Sequence, residues 1–242
     1  MILSGQTALV TGSTRGIGLG LARALAAEGA RVAINGRTSE AVDAVVAGLE
    51  GSVAAPFDVA NQGAVVRAVE ALGPVDILVN NAGITLRRTL VELELDEWRR
   101  VLDVNLTSAF IVARAVAPGM IQRGHGKIVN VCSVLSELAR PTTGAYAAAK
   151  GGLKMLTRSM CAEWARHGLQ ANGIAPGYFR TDLNDVLQND LEFDAWLRAR
   201  VPAGRWGEPD ELAGAVVFLA SPASDFVNGQ LLFVDGGLSA VL

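Results

Sequence analysis

The 242-residue sequence predicts an α/β fold: a doubly wound, parallel, seven-stranded sheet with helices on both faces. Three observations carry that expectation. Seven short apolar runs recur along the chain, helix-period segments separate them, and a glycine-rich turn joins the first run to the first helical segment. Parallel strands covered on both faces read as continuous apolar runs, and each reaches the next through a right-handed helical crossover. The length fits one large domain, residues 1–242, whose core needs no disulfide or metal staple.

The elements follow in order. Thr7–Val10 is the first strand, Gly12–Gly18 the turn, and Ile17–Glu28 a helix closed by Gly29. Further strands are expected at Val32–Ile34, Val53–Phe57, Ile77–Val79, Ile128–Val131, Gln170–Ile174 and Leu231–Val234. Two helices look long, from about Asp96 to Pro118 and from about Tyr146 to His167. Residues 182–206 carry charges with Phe193, Trp196 and Trp206 but no strand pattern, and read as a small helical lid over the carboxyl ends of the strands.

Composition excludes several classes of partner. A net charge of −3, with basic residues scattered along the chain, gives no general attraction for nucleic acid or an anionic membrane. Cys132 and Cys161 lack CxxC or Cys/His spacing, which points to reduced thiols in a cytoplasmic protein and to no metal site. The amino terminus lacks a basic segment followed by a long apolar stretch, and no apolar run approaches the roughly 18 residues of a membrane span.

Thr11-Gly12-Ser13-Thr14-Arg15-Gly16-Ile17-Gly18 lies between the first strand and the first helix, where a Rossmann-type fold binds pyrophosphate. Glycines let the backbone approach the phosphates, and the helix amino terminus offers unpaired N–H groups. The spacing is Gly-xxx-Gly-x-Gly, and a purely structural turn is the alternative. At the end of the second strand, where NAD-binding folds often place a carboxylate, the residues are Asn35-Gly36-Arg37. Arg37 and Arg15 could instead surround a 2′-phosphate, which favours NADP and leaves NAD open.

Tyr146 and Lys150 are four residues apart, in a chain with two tyrosines and three lysines. On a helix they share a face, so the ammonium is expected beside the phenol, lowering its pKa toward a range useful for proton transfer. Ser133 lies thirteen residues before Tyr146. An ordinary strand-end serine, and for Asn105 a helix amide bonded to nearby backbone, are the structural alternatives.

Together these residues resemble the short-chain dehydrogenase/reductase family along essentially the whole chain. The resemblance rests on the glycine turn, Asp58 in Phe57-Asp58-Val59, Asn80-Asn81-Ala82-Gly83, Asp103-Val104-Asn105, and Tyr146 with Lys150. It implies a catalytic tetrad of Asn105, Ser133, Tyr146 and Lys150 that interconverts a ketone and a secondary alcohol with a nicotinamide cofactor. Tyr146 would move the proton, Ser133 would bond the substrate oxygen, and Asn105 would hold a water linking Lys150 to solvent. Cofactor contacts are implied at Gly12, Ser13, Arg15, Gly16, Ile17 and Gly18, and at Asn35, Arg37, Asp58 and Val59. Others are implied at Asn81, Ala82, Gly83, Tyr146 and Lys150, and in the segment Pro176, Gly177, Phe179 and Thr181 that closes over the nicotinamide.

A narrower similarity, strongest in Ser136-Glu137-Leu138-Ala139-Arg140, points to the branch of the family that acts on sugar acids. For such a substrate Arg88 and Arg140 are candidates to hold a carboxylate, Glu137 to accept from hydroxyls, and Tyr178, with Trp196 and Trp206, to exclude water. The rivals are a 3-oxoacyl-acyl-carrier-protein reductase, another sugar or polyol dehydrogenase of the family, and a non-catalytic NADP-binding sensor. The family is usually a homotetramer built through the two long helices and the C-terminal strand. The apolar terminus Leu238-Ser239-Ala240-Val241-Leu242 is consistent with burial against a partner or against its own domain.

Overall fold

The computed structural model describes residues 1–241, the side chain of Leu183 excepted. Its strands are β1 (Thr7–Val10), β2 (Arg31–Gly36), β3 (Ser52–Pro56), β4 (Ile77–Asn80), β5 (Gly126–Val131), β6 (Leu169–Pro176) and β7 (Leu231–Val234). They form one parallel sheet in the order β3-β2-β1-β4-β5-β6-β7. The order in which strands are added reverses between β1 and β4, which opens a crevice at their carboxyl ends. Val10 pairs with Ile34 on one side and Val79 on the other, so β1, β2 and β4 end level around that crevice.

Alternation along β1 divides the core. Ala8 and Val10 pack with Ile34, Val79 and Val129 against Leu21 and Leu25 of α1 (Gly16–Ala27) and Val216 of α9 (Ala213–Ala220). Leu9 points to the other face with Ala33, Leu78 and Ile128, against Val112, Val116 and Met120 of α5 (Ser108–Arg123). Each such aliphatic side chain removed from water stabilises the fold by about 1.5–3 kcal/mol.

All seven expected strands form within a few residues of their predicted bounds. The first long helix differs in two ways. It runs through Pro118 to Arg123, because Ala117 and Met120 on either side of the proline are buried in the core. It is also interrupted by a π-helical turn, Asp103–Thr107, between α4 (Leu95–Leu102) and α5. Joined, Leu95–Arg123 contains an 18-residue window of mean hydropathy 1.4, which meets the composition of a membrane span where the sequence suggested no such run. In this fold the helix instead lays Val112 and Val116 against the sheet and Val101 against Ala145 and Ala149. The second long helix, α6, spans Gly144–Trp164, and a 3₁₀ turn carries it to His167.

After β6 the chain forms two short helices, α7 (Asp185–Gln188) and α8 (Leu191–Arg200). Leu187, Phe193, Leu197, Val201 and Trp206 build a separate apolar cluster with Val134 and Leu238. The Trp206 Nε1–H donates to Asp194 Oδ1 at 2.7 Å. Leu238 is thus buried within its own chain, while Val241 is 48% exposed and Leu242 lies outside the described residues.

Candidate active site

The crevice opens into a cleft of about 1220 Å³. A smaller groove of about 460 Å³, beside β3 and α3 (Gln62–Leu72), lies away from the residues discussed below. At one end of the cleft is the glycine turn, with Gly12 at φ +61° and Gly16 at φ +54°. A Cβ on Gly18 would stand 2.3 Å from the Gly12 carbonyl oxygen and 2.4 Å from Asn81 Nδ2, so only glycine lets α1 start this close to the turn. Asn81 Nδ2 itself donates to the carbonyls of Thr11 and Gly12 at 2.9 and 3.0 Å.

Two expected cofactor residues serve the turn's shape. The Ser13 hydroxyl donates to Val10 O at 2.7 Å and accepts from Asn35 N at 2.9 Å. Asn35 Oδ1 accepts from Gly12 N at 3.0 Å, and its Nδ2 donates to the carbonyls of Ala55 and Phe57. Ser13 is fully buried, and both polar ends of the Asn35 amide are engaged. Phe179 is also buried yet lines the cleft, together with Asp58, Val59, Ala82, Gly83, Pro176, Gly177 and Thr181.

α1 begins after Arg15 with no side-chain cap, leaving its first N–H groups and positive dipole end to the crevice. Arg15 and Arg37 line the cleft with Thr14 and Thr38, residues the sequence did not single out. Arg15 Nη1 is 3.5 Å from Asp182 Oδ2 in a largely exposed pair, an interaction worth about 0–1 kcal/mol. A dinucleotide fits this donor set: the glycine backbone admits a pyrophosphate, and two guanidiniums with no carboxylate at the end of β2 suit a 2′-phosphate.

Ser133, Tyr146 and Lys150 line the cleft, whereas Asn105 lies behind its wall. The extra residue of the π turn carries Asn105 inward, where it is 1% exposed. Its Nδ2 donates to Ile84 O at 2.9 Å and Val101 O at 2.8 Å, and its Oδ1 accepts from Ile84 N at 3.2 Å. The carboxamide is therefore committed to the Asn81–Ile84 loop, the backbone-bonding alternative raised by the sequence. A Cβ on Gly83 would approach Asn105 Oδ1 to 2.7 Å, which accounts for the glycine there.

Ser133 follows β5 by two residues and caps the next turn, accepting from Leu135 N at 3.1 Å. Lys150 is 3% exposed, and its Nζ donates to Val131 O at 2.6 Å. The ammonium stands 5.6 Å from the centroid of the Tyr146 ring, as the helical spacing requires. The expected lowering of the phenol's pKa does not result. Burial pushes the half-buried Tyr146 up to about 12, opposed by hydrogen bonding to Ser133, while the buried ammonium turns to a carbonyl instead of the phenol. Burial likewise pulls Lys150 down to about 8.

At the far end stand Arg87, Arg140, Thr143 and Tyr178. The Arg140 guanidinium lies 4.4 Å from the centroid of Phe193 and donates to the Tyr178 hydroxyl at 3.5 Å. Burial lowers the pKa of Arg87, and the neighbouring Arg140 cation lowers it further. Two expected substrate residues are elsewhere. Arg88 is exposed, 3.7 Å from Glu97 Oε1, and Glu137 accepts from Lys154 Nζ at 2.7 Å. Arg87, missed by the sequence reading, takes the inner place because the Thr85–Arg88 loop turns there. Trp196 and Trp206 pack behind Tyr178, at ring separations of 6.2 and 5.9 Å.

A family model described as enoyl-(acyl carrier protein) reductase matches residues 12–239. With the parallel nucleotide fold and this cleft, the chain belongs to the short-chain dehydrogenase/reductase family. Within the family it is 52% identical over 248 residues to gluconate 5-dehydrogenase of Gluconobacter oxydans strain 621H, covering 99% of this chain and 97% of that protein. It is 52% identical over 244 residues to 5-keto-D-gluconate 5-reductase of Escherichia coli K12, covering 98% and 96%. Among solved structures, a gluconate 5-dehydrogenase from Burkholderia cenocepacia J2315, in complex with NADP and tartrate, superposes with a TM-score of 0.96. It is 55% identical, with 99% of this chain and 97% of that one covered.

Proposed function

We propose that the chain is an NADP(H)-dependent oxidoreductase that interconverts 5-keto-D-gluconate and D-gluconate. The observation that carries this reading is that Tyr146, Arg87 and Arg140 face one cleft. A ketone with a remote carboxylate suits that combination, and the named relatives act in their descriptions on the same sugar acid. Turnover of 5-keto-D-gluconate with NADPH, compared with an acetoacetyl thioester, tests it. Faster thioester reduction would mean a 3-oxoacyl-acyl-carrier-protein reductase, for which two cleft arginines have no evident use.

Bound nicotinamide supplies the hydride in reduction and takes it up in oxidation. Tyr146 gives its phenolic proton to the developing alkoxide, and Ser133 donates a hydrogen bond to the same oxygen where charge accumulates. Lys150, below its pKa of about 8 at neutral pH, is largely charged and stabilises the phenolate left behind. Asn105 fixes the loop that forms this wall. Asp58 and Val59 would hold the adenine and Pro176, Gly177, Phe179 and Thr181 the nicotinamide, with residues 182–206 as the lid of a single domain. Arg87 and Arg140 hold the carboxylate beside Tyr178.

Two substitutions probe the ends of the cleft. Arg37→Ala should weaken NADP binding by about 10–100-fold and alter NAD binding by less than about threefold, since only NADP carries the phosphate. Fluorescence titration with both cofactors checks this, and equal shifts for the two would count against a phosphate contact. Arg87→Gln should raise KM for 5-keto-D-gluconate by about 10–100-fold, with Arg88→Gln within about threefold of wild type. The reverse order would return Arg88 to the substrate site.

The same reading makes the protein a cytoplasmic homotetramer. Supporting it, the apolar side chains Phe110 on α5 and Met155 on α6 are 45% and 54% exposed, and Leu232 on β7 is 39% exposed.

A further inference from the structure

Among the described residues, Thr142 is the one non-glycine residue with positive φ, at +69°. A β-branched side chain disfavours this left-handed conformation, so it competes with extended backbone and is held by its neighbours. The Thr142 carbonyl accepts from Arg88 N at 3.1 Å. The next residue, buried Thr143, donates to the Arg140 carbonyl through both its N–H, at 3.4 Å, and its Oγ1, at 2.8 Å. Thr143 O then accepts from Ala147 N at 2.8 Å and starts the helix that carries Tyr146.

Thr142 therefore ties the loop bearing Arg87 to the loop bearing Arg140, at the foot of the catalytic helix. The two guanidiniums repel each other and share the cleft wall with Tyr178. Relaxation of Thr142 to the extended backbone that threonine prefers would break the tie to Arg88 and let the two cations part. We propose that Thr142 is a positioning residue whose left-handed backbone holds Arg87 and Arg140 together as a clamp for the substrate carboxylate. The inference rests on the sugar-acid reading above.

The test is steady-state kinetics with NADPH on 5-keto-D-gluconate and on an uncharged ketose of similar length. Asparagine tolerates the left-handed region, so Thr142→Asn should lower KM for the keto acid by at least about threefold and leave the ketose KM within about twofold. Proline fixes φ near −65° but keeps the carbonyl, so Thr142→Pro should raise the keto-acid KM by at least about tenfold. The ketose KM and NADP affinity should then stay within about twofold. A threonine with a merely structural part would shift the melting temperature of both variants and leave the ratio of the two KM values unchanged, which overturns the proposal. Should Thr142→Pro not fold, the ratio in Thr142→Asn decides alone. A wild type that reduces the ketose but not the keto acid sinks the substrate reading and the clamp with it, whereas an active wild type with unmoved ratios sinks only the clamp.

Discussion

Tyr146→Phe lowers turnover by at least about 10³-fold while leaving NADP affinity within about threefold of wild type. The ring and its packing survive the change, and only the proton and its hydrogen bond are removed. A pKa of about 12 means the phenol is fully protonated at neutral pH, ready to act as the acid of ketone reduction. Alcohol oxidation needs the phenolate, which is scarce at pH 7, so its rate should rise with pH while reduction does not. Paired turnover and titration measurements on the variant separate the possibilities. Turnover near the wild-type level would remove Tyr146 from the proton transfer. Parallel loss of NADP binding would make the phenol a binding group, and a wild type without turnover would leave the cofactor-binding sensor standing.

Much of the architecture was legible because buried parallel strands carry a strong signal. Ala8, Leu9 and Val10 are all apolar since both faces of β1 are covered, and the same holds for Ile77, Leu78 and Val79 in β4. The glycine turn could be read as a motif, but its reason could not. That Gly18 must lack a Cβ depends on the Gly12 carbonyl and on Asn81, sixty-three residues further along the chain. The π turn at Asn105 left no trace, because α5 is apolar around most of its circumference and has no narrow stripe whose phase the additional residue could visibly shift.

Side chains in loops were the least legible. Arg87 and Arg88 are adjacent and chemically identical, and a loop has no period to say which one faces the cleft. Glu137 stands four residues after Ser133 in sequence, yet Lys154, on a later turn of α6, draws it into an ion pair. Helical spacing placed Lys150 beside Tyr146 correctly. It could not announce the acceptor that the ammonium finds, since Val131 belongs to β5 and meets α6 only in the folded chain.

That choice of acceptor gives Lys150→Met two separable effects. Turnover should fall by at least about 10²-fold, because the phenolate at Tyr146 loses its nearest cation. Stability should change in a pH-dependent way whose sign is fixed by burial. The folded-state pKa is about 8, against a reference value of 10.5 for the exposed side chain. Below pH 8 both states hold the proton, and the cost of burying the ammonium is present in full. Between about pH 8 and 10.5 the unfolded chain still binds a proton that the folded protein has released, so wild-type stability rises with pH. Relative to Lys150→Met, the wild type should gain on the order of 3 kcal/mol across this window. The absolute difference at pH 7 is smaller than the slope suggests, since methionine leaves the Val131 carbonyl without its donor. Urea denaturation of both proteins from pH 7 to 10.5 measures the slope directly, and two parallel stability curves would remove burial as the cause of the lowered pKa. Removing the charge should relieve the cost of its burial and withdraw the cation from the proposed phenolate, which is the reason the two effects of the substitution should have opposite signs.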